Sequence, residues 1–228
     1  MLDVACGTGH ATAAVVTALG PDGHVTGLDI SEAMLKHAEA RCADHEAQVT
    51  LRAADMRSID EADGSFDVVL CVFGIMFVAD IPALIAELWR LVAPGGRLAI
   101  VTWAPGDMSP MKRVLVQCVH ECRPDLVPSH LVDAAASATS TRTGMTELIR
   151  AAGVEVPVEH TDIAHQQPLA SPDAWWELVM GSGLRGFVEA LKANEADEVK
   201  QRCEETIRLS GITHVSCDAL MTVIARRR

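Results

Sequence analysis

The chain opens with MLDVACGTGHAT, residues 1–12, in which a short apolar segment runs directly into the glycine turn Gly7-Thr8-Gly9. An alanine-rich, helix-favouring segment follows at once. This order predicts a buried strand, a tight turn and a helix N-terminus. Such a unit suits a ligand, because glycines let the backbone approach closely and the first-turn N–H groups of a helix attract negative charge. One glycine turn does not define a fold. The pattern of the segments that follow it, up to Trp103, indicates the fold class.

Strand and helix patterns alternate along those segments. Helical patterns cover residues 10–19, the segment after the N-cap Ser31, and 81–91, where Pro82 lies in the first turn. Between them lie five predicted strands, namely 1–6, 25–28, 49–53, 66–72 and 98–103. The near-continuous apolar run 66–72 is typical of a central parallel strand. Such alternation predicts an α/β fold, a Rossmann-like, doubly wound and mostly parallel sheet.

The pattern is weaker after Trp103. The sequence predicts a helix over 108–122, a loop over 124–143, a helix over 147–152, a helical insertion over 171–209, and strands over 154–164 and 215–225. Two further strands give seven in all. We expect one domain over 1–228. Its parts are a cofactor-binding core at 1–105, lid or substrate insertions at 106–142 and 171–210, and C-terminal sheet elements at 143–170 and 211–228.

The composition of the chain excludes some classes of binding partner. The net charge is −12 and the pI is about 5.1, so we expect neither nucleic acid nor an anionic membrane as a partner. No apolar run approaches the ~20 residues that span a bilayer, which predicts no membrane insertion. The N-terminus lacks the basic segment of a signal peptide.

The seven cysteines include no CxxC pair, and Cys118 and Cys122 lack nearby partners on the same face, so we predict no metal site. An odd number of cysteines without a disulfide framework predicts reduced thiols and a cytoplasmic location.

Polar or glycine residues follow four predicted strands, at 7–9, Asp29, Asp55 and 71–74. Ligands bind at the carboxyl ends of strands in open α/β sheets. Asp29 lies 20 residues after Gly9, the spacing expected of an acid that accepts from a ribose diol. Asp55 could accept from an adenine amine, with Ile30 and Met56 on either side of the ring. Asp3 lies within a buried strand, where a carboxylate needs a partner: a ligand ammonium or backbone N–H groups.

These segments resemble a class I S-adenosylmethionine-dependent methyltransferase of the ubiquinone/menaquinone-biosynthesis-like small-molecule group. The matching segments are LDVACGTGHAT, GLDIS, RAADM, GSFDVVLCVFGIMFVAD and ELWRLVAPGGRLAIVTW, and they cover residues 1–103. Two features depart from the family pattern. Ser58-Ile59 stands where the family usually has Leu-Pro, and the family's N-terminal helix is missing, which predicts a more open pocket or one covered by another subunit.

The resemblance implies S-adenosylmethionine as cofactor, S-adenosylhomocysteine as product and a small, hydrophobic or aromatic substrate. The predicted cofactor-binding residues are Asp3, Ala5, Cys6, Gly7, Gly9, Asp29, Ile30, Met34, Asp55, Met56, Cys71 and Val72. The predicted substrate-pocket residues are Phe73, Met76, Met111, Trp175, Trp176 and Met180. The aromatic and methionine residues of the insertions could equally pack a lid onto the sheet.

Two other functions compete with methyl transfer. An NAD-dependent oxidoreductase would share the glycine turn and Asp29, but Thr12 stands where its third glycine or alanine belongs and the chain has no tyrosine. A cofactor-binding module without catalysis is the other alternative.

No residue is assigned to catalysis. His10, beside the glycine turn, is a weak candidate base that we expect to cap the helix, and the other candidates are His120, His130, His160, His165 and His214. The acceptor atom and the oligomeric state are open, and a homodimer is compatible with the sequence.

Overall fold

The computed structural model of the protein describes residues 1–106, 108–126 and 138–227. Its strands are β1 (Leu2–Val4), β2 (Val25–Asp29), β3 (Val49–Ala53), β4 (Phe66–Val72), β5 (Val92–Trp103), β6 (Val158–Ile163), β7 (Gln166–Pro168), β8 (His214–Ser216) and β9 (Ala219–Ala225). Its α-helices are α1 (His10–Leu19), α2 (Glu32–Arg41), α3 (Ile81–Arg90), α4 (Met111–Cys122), α5 (Arg142–Ala151), α6 (Pro172–Met180), α7 (Arg185–Glu189) and α8 (Ala193–Leu209).

Seven strands form the main sheet in the order β3-β2-β1-β4-β5-β9-β6. Strand β1 pairs in parallel with β2 and β4, and the outer pairs β2–β3 and β4–β5 are parallel too. The predicted α/β class and seven-stranded, mostly parallel sheet are therefore confirmed. Val69 and Cys71 in β4 are fully buried, as the apolar run 66–72 predicts for a central strand.

Local sequence explains where the first helices begin. Ser31 caps α2 by accepting from the backbone N–H of Met34, and Asp80 caps α3 by accepting from Ala83. Gly9 is the N-cap of α1 and has a φ of 78°, a conformation that glycine adopts without strain. A Cβ on Gly9 would lie 2.8 Å from the Cβ of Ala38, so this glycine also lets α1 pack closely on α2.

Three predicted elements differ from the structure. The predicted last strand, 215–225, is two strands, because β8 pairs antiparallel with β7 in a separate two-stranded sheet while β9 joins the main sheet. The fifth strand begins at Val92 rather than residue 98, with a register shift against β4 near Phe66. Helix α5 begins at Arg142, since Thr141 caps it by accepting from Gly144. Part of the predicted loop, 127–137, lies outside the described residues.

Two compact units divide the described chain. The first contains residues 1–103, 138–162 and 220–227, and its core joins the sheet to α3 and α5 through fully buried side chains such as Leu88, Leu98 and Met145. The second contains 104–106, 108–126 and 163–219, and its core lies among α4, α6 and α8. Among the described helices, none combines the length and the apolar character needed to cross a membrane.

Candidate functional site

A cavity of about 870 Å³ lies in the first unit at the carboxyl ends of β1 to β4. The residues that line it follow these strands directly, as the strand-end rule predicts. Its lining consists of Asp3, Ala5, Cys6, Gly7, Thr8, His10, Ala11, Asp29, Ile30, Ser31, Met34, Ala54, Asp55, Met56, Arg57, Val72, Phe73, Gly74, Phe77, Val78 and Ala79. Ten of the twelve predicted cofactor residues are in this lining, and Gly9 and Cys71 are not.

The two glycines of the turn have different roles, one in ligand access and the other in packing. Gly7 has a φ of 55° and no atom within 4 Å of the position that a Cβ would take, so its backbone faces open space in the cavity wall. Gly9 instead packs against Ala38, which is why its predicted contact with a cofactor is not seen in the lining. Only Gly7 keeps the backbone open for a ligand.

Asp29 ties the end of β2 to the glycine turn. Its Oδ2 accepts from the backbone N–H of Gly7 at 2.8 Å, and its Oδ1 accepts from Ser31 at 2.9 Å. A carboxylate has about four lone-pair positions, so each oxygen keeps capacity for another donor. Asp29 is therefore both fixed in place and able to accept from a diol.

Asp3 is a buried carboxylate at the cavity floor, with 1% of its surface exposed. Its Oδ2 accepts from the Thr12 hydroxyl at 2.6 Å, while its Oδ1 is buried with no hydrogen-bond partner among the described residues. Burial raises the pKa of Asp3 to about 6, against the opposing hydrogen bonds from Thr12. An unpartnered carboxylate oxygen at this depth favours a cationic ligand group.

Asp55, at the end of the third strand, has a partner that the sequence analysis missed. The guanidinium of Arg57 donates to both carboxylate oxygens, and its backbone N–H donates to Oδ1 at 2.9 Å. Arg57 also lines the cavity. An acid and an arginine two residues apart on a turn can form such a pair, and that spacing is the signal that could have indicated it.

Large apolar side chains stand exposed around the cavity. Ile30 is 73% exposed, Phe77 77% and Met34 45%. Exposed apolar groups that gather at one cavity mark a ligand or partner surface. Ile30 and Met34 were predicted, and Phe77, in the short 3₁₀ helix Ile75–Phe77, was not.

Two non-glycine residues in the cavity wall have left-handed backbone conformations, Ala5 with a φ of 57° and Phe73 with a φ of 53°. The Phe73 N–H donates to the Val101 carbonyl at 2.8 Å, and its ring stacks on Trp103 with 4.1 Å between centroids. Strained residues that persist are held by their surroundings and are concentrated at functional sites. The predicted pocket residue Phe73 is thus rigidly placed at the cavity.

Several predicted contacts need correction. The Cys71 side chain is fully buried in the sheet core, and Met76 is half-buried outside the lining. Met111 and Trp175 are buried in the core of the second unit, at 1% and 0% exposure, because the apolar faces of α4, α6 and α8 pack together. Neither therefore offers surface to a ligand in this structure. Trp176 and Met180 pack against the same core, and their role in a pocket stays a prediction.

The histidines predicted as candidate bases lie in different parts of the structure. His10 lines the cavity and is exposed, but the prediction that it caps α1 is wrong, since the cap residue is Gly9. His160 bridges two hydroxyls, with Nε2 2.9 Å from Thr146 Oγ1 and Nδ1 3.0 Å from Thr222 Oγ1, and burial lowers its pKa. His120, His165 and His214 belong to the second unit, and His130 lies outside the described residues.

No group of three or more His, Cys, Asp or Glu side chains in the described ranges is arranged to hold a metal ion. The cavity instead offers carboxylates, open backbone and apolar surface. This donor set suits an organic ligand that carries a cationic group, a diol and a flat ring.

Comparison with known proteins shows which proteins the first part of this chain is similar to. The methyltransferase domain family matches residues 1–96. A demethylmenaquinone methyltransferase from Listeria monocytogenes is 35% identical over 115 residues, which cover 50% of this chain and 48% of that protein. The chain thus spans about half the length of the curated relatives it matches.

Solved structures share the whole fold at low identity. YcgJ protein from Bacillus subtilis matches with a TM-score of 0.61 and 15% identity, over 100% of this chain and 91% of the other. Phosphoethanolamine N-methyltransferase 2 of Haemonchus contortus, in complex with S-adenosyl-L-methionine, matches with a TM-score of 0.58 and 17% identity, over 100% and 48%. The protein therefore has a Rossmann-like, class I methyltransferase fold, and its residues 1–96 are similar to the methyltransferase domain family and to part of the demethylmenaquinone methyltransferases.

Proposed function

We propose that this chain transfers a methyl group from S-adenosylmethionine to a small hydrophobic or aromatic molecule, with quinone-like rings as the leading substrate class. The observation that carries the proposal is the set of three carboxylates, Asp3, Asp29 and Asp55, around one cavity beside an open glycine turn. The methyltransferase domain match over 1–96 supports it independently.

The residues present fit this cofactor group by group. The buried, unpartnered Oδ1 of Asp3 suits an ammonium, and the free acceptor positions of Asp29 suit a ribose diol. Ile30 and Met56, which both line the cavity, would cover the two faces of the adenine ring with apolar surface. When bound, S-adenosylmethionine supplies a methyl group on a sulfonium, which is a strong electrophile.

The contribution of the protein to the proposed reaction is then to position the cofactor and the acceptor. Asp29 and the Gly7 backbone fix the ligand at the strand ends, and the Phe73 backbone holds its ring rigidly beside the same space. Holding an acceptor in line with the methyl group can supply much of the rate by proximity. A base is needed only where the acceptor must lose a proton, and His10 is the histidine in the lining.

The apolar lining favours a hydrophobic acceptor. Phe73, Phe77 and Val78 contribute apolar surface to the cavity wall. Among the described lining residues, Arg57 is the one lysine or arginine. The net charge of −12 argues against a nucleic acid substrate. The name of the Listeria relative supports a quinone precursor as the first acceptor to try.

The organisation of the chain is proposed on the same basis. Residues 1–105 would form the cofactor-binding core, 106–142 and 171–210 the substrate-side insertions, and 143–170 and 211–228 the C-terminal sheet elements. The seven free cysteines support a reducing, cytoplasmic location, and a homodimer is proposed as the assembly to test.

Calorimetric titration with S-adenosylmethionine, S-adenosylhomocysteine and NAD tests cofactor choice. Binding of the first two without NAD supports the proposal, whereas NAD binding alone would favour the oxidoreductase. Turnover is then tested with a reduced naphthoquinone and S-adenosylmethionine carrying a labelled methyl group. Binding with no turnover across a panel of quinols, catechols and phenols would favour the cofactor-binding module without catalysis.

A further inference from the structure

Two thiols face each other inside the second unit. Cys118 on α4 and Cys203 on α8 belong to the same buried core, and each thiol is the main cause of the shift in the other's pKa. The Cys203 thiol also lies 3.9 Å from the carbonyl of Val114, one turn before Cys118 on α4. Cys203 is therefore held against the helical turn that carries Cys118.

Cys118 also lines a cavity of about 380 Å³ between α4 and α8. Gln117, Glu121 and Arg202 line the same space, with Arg202 paired to Glu121 and Glu198. A thiol that is largely covered by its neighbours thus borders a polar space wide enough for a small solute. Cys203 is not in that lining, so the two sulfurs differ in access.

The surroundings also differ in their effect on ionisation. Hydrogen bonding from Cys203 lowers the pKa of the Cys118 thiol, with Arg202 assisting and Glu121 opposing, while the pKa of Cys203 is raised by the same contact and by burial. The thiolate is the reactive form of cysteine. Cys118, whose thiol lines the cavity and whose pKa is lowered, is therefore the attacking thiol of the pair.

We propose that Cys118 and Cys203 form a redox modification site, in which a small hydroperoxide oxidises Cys118 and Cys203 resolves the product. The Cys118 thiolate attacks the peroxide O–O bond, giving a sulfenic acid and, with one proton, the alcohol or water. Cys203 then attacks the sulfenic sulfur, forming the disulfide and releasing water. Two thiols lose two electrons to the peroxide, and the disulfide links α4 to α8 within the second unit.

Other cysteines provide internal controls. Cys122 lies one turn after Cys118 on α4 and is half-buried, but burial raises its pKa. In the first unit, burial raises the pKa of Cys6 to about 12 even though it lines the large cavity. A nearby cavity or a helix position alone does not make these thiols reactive.

The test uses the full chain and hydrogen peroxide. After brief oxidation, remaining thiols are blocked with iodoacetamide, and unreduced peptides are analysed by mass spectrometry. We expect a Cys118–Cys203 disulfide as the first cross-link. In Cys203→Ser, where the serine hydroxyl can still donate to Cys118 but cannot resolve a sulfenic acid, dimedone should label Cys118 more than Cys122.

Cys122→Ser is the matched control and should leave the cross-link intact, while Cys118→Ser should remove it. Circular dichroism of each variant confirms that it is folded. A first cross-link that omits either cysteine, or equal dimedone labelling of Cys118 and Cys122 in folded Cys203→Ser, would overturn the proposal. The readout requires no bound cofactor or substrate, so it is independent of the proposed methyl transfer.

Discussion

The Nε of Arg57 lies 3.0 Å from each carboxylate oxygen of Asp55, and the backbone N–H of Arg57 donates to Oδ1 as well. This pair holds the pKa of Asp55 down at about 2, with the guanidinium hydrogen bonds as the main cause. A carboxylate has about four lone-pair positions, and Arg57 directs several donors at them. Asp55 can therefore receive an adenine amine only by sharing or releasing Arg57.

Replacing Arg57 should strengthen cofactor binding. In Arg57→Gln the carboxylate of Asp55 is freed from its ion pair. Because one exposed ion pair contributes little free energy, we expect the Kd for S-adenosylhomocysteine to fall by less than about tenfold. Calorimetric titration measures the change. Asp55→Ala should weaken binding more in the Arg57→Gln background than in the wild type. Weaker binding by Arg57→Gln itself would show that the arginine holds the ligand rather than competing for Asp55.

Asp29, which is half-buried, should matter more for cofactor binding than the exposed acids near the cavity. Asp29→Ala removes an acceptor of the predicted diol and leaves the Gly7 N–H without its partner. Hydrogen bonds to charged groups contribute about 1.5–3 kcal/mol, so the Kd for S-adenosylmethionine should rise about 10- to 100-fold. Glu32→Ala, an exposed acid in the first turn of α2, is the control and should leave the Kd unchanged. An unaltered Kd in folded Asp29→Ala would remove Asp29 from the site.

Cofactor affinity should depend on pH through Asp3. Since the pKa of Asp3 is raised to about 6 in the folded protein, an ammonium that pairs with its ionised form should bind more tightly as the pH rises through 6. Binding near pH 6 should release protons, which calorimetry detects as a dependence of the heat on buffer ionisation enthalpy. Asp3→Asn should show neither effect, and proton release that persists in this variant would assign it to another group.

Asp3 should also make stability depend on pH. Its folded pKa lies above the ordinary value of 3.8, so the folded protein binds the proton more tightly than the unfolded chain does. The stabilisation from the protonated form is complete below pH 4 and is lost as the pH rises through about 6, a change of up to about 3 kcal/mol. Urea unfolding of wild type and Asp3→Asn between pH 4 and 7 should show this difference. A constant difference across that range would contradict the raised pKa.

The wall of the large cavity leaves no room at Gly74. A Cβ there would lie 2.7 Å from the Cβ of Ala5 and 2.9 Å from the Cys71 sulfur. Gly74→Ala should therefore reduce the free energy of unfolding by about 1–3 kcal/mol. Adding Ala5→Gly removes one of the two clashes and should recover part of the loss. Gly186→Ala, where no atom lies within 4 Å, is the control and should cost nothing, as thermal unfolding of the three variants and the wild type would show.

The cofactor side of the site could be predicted because its residues follow directly from chain order. Strand ends carry the ligand groups of this fold, so Asp29 was predicted from its spacing to Gly9 and Asp55 from its position after the third predicted strand. Arg57 was missed because its pairing with Asp55 depends on a local turn geometry that hydrophobic patterns do not encode. The break between β8 and β9 was missed likewise, since Asp218 turns the chain by accepting from the N–H of His165 and the hydroxyl of Ser216.

The substrate side was less predictable, since it depends on which helices pack together. Trp175 has the same local pattern whether its ring lines a pocket or fills a core. Only the packing of α6 against α8 buries it completely. The predicted aromatic residue that does line the large cavity, Phe73, has a left-handed backbone conformation, which is uncommon for a non-glycine residue and is not indicated by the sequence pattern.

Because Phe73 in the cavity wall stacks on Trp103, the fluorescence of Trp103 can report ligand binding at the large cavity. The chain has no tyrosine and four tryptophans, so excitation at wavelengths that phenylalanine does not absorb gives emission from indole rings alone. Trp103 touches an aromatic side chain of the cavity wall, and Trp175 is sealed in the other unit. With Trp103→Phe as the reference, the difference spectrum isolates one ring beside the site, and ligand arrival can be followed without attaching a dye.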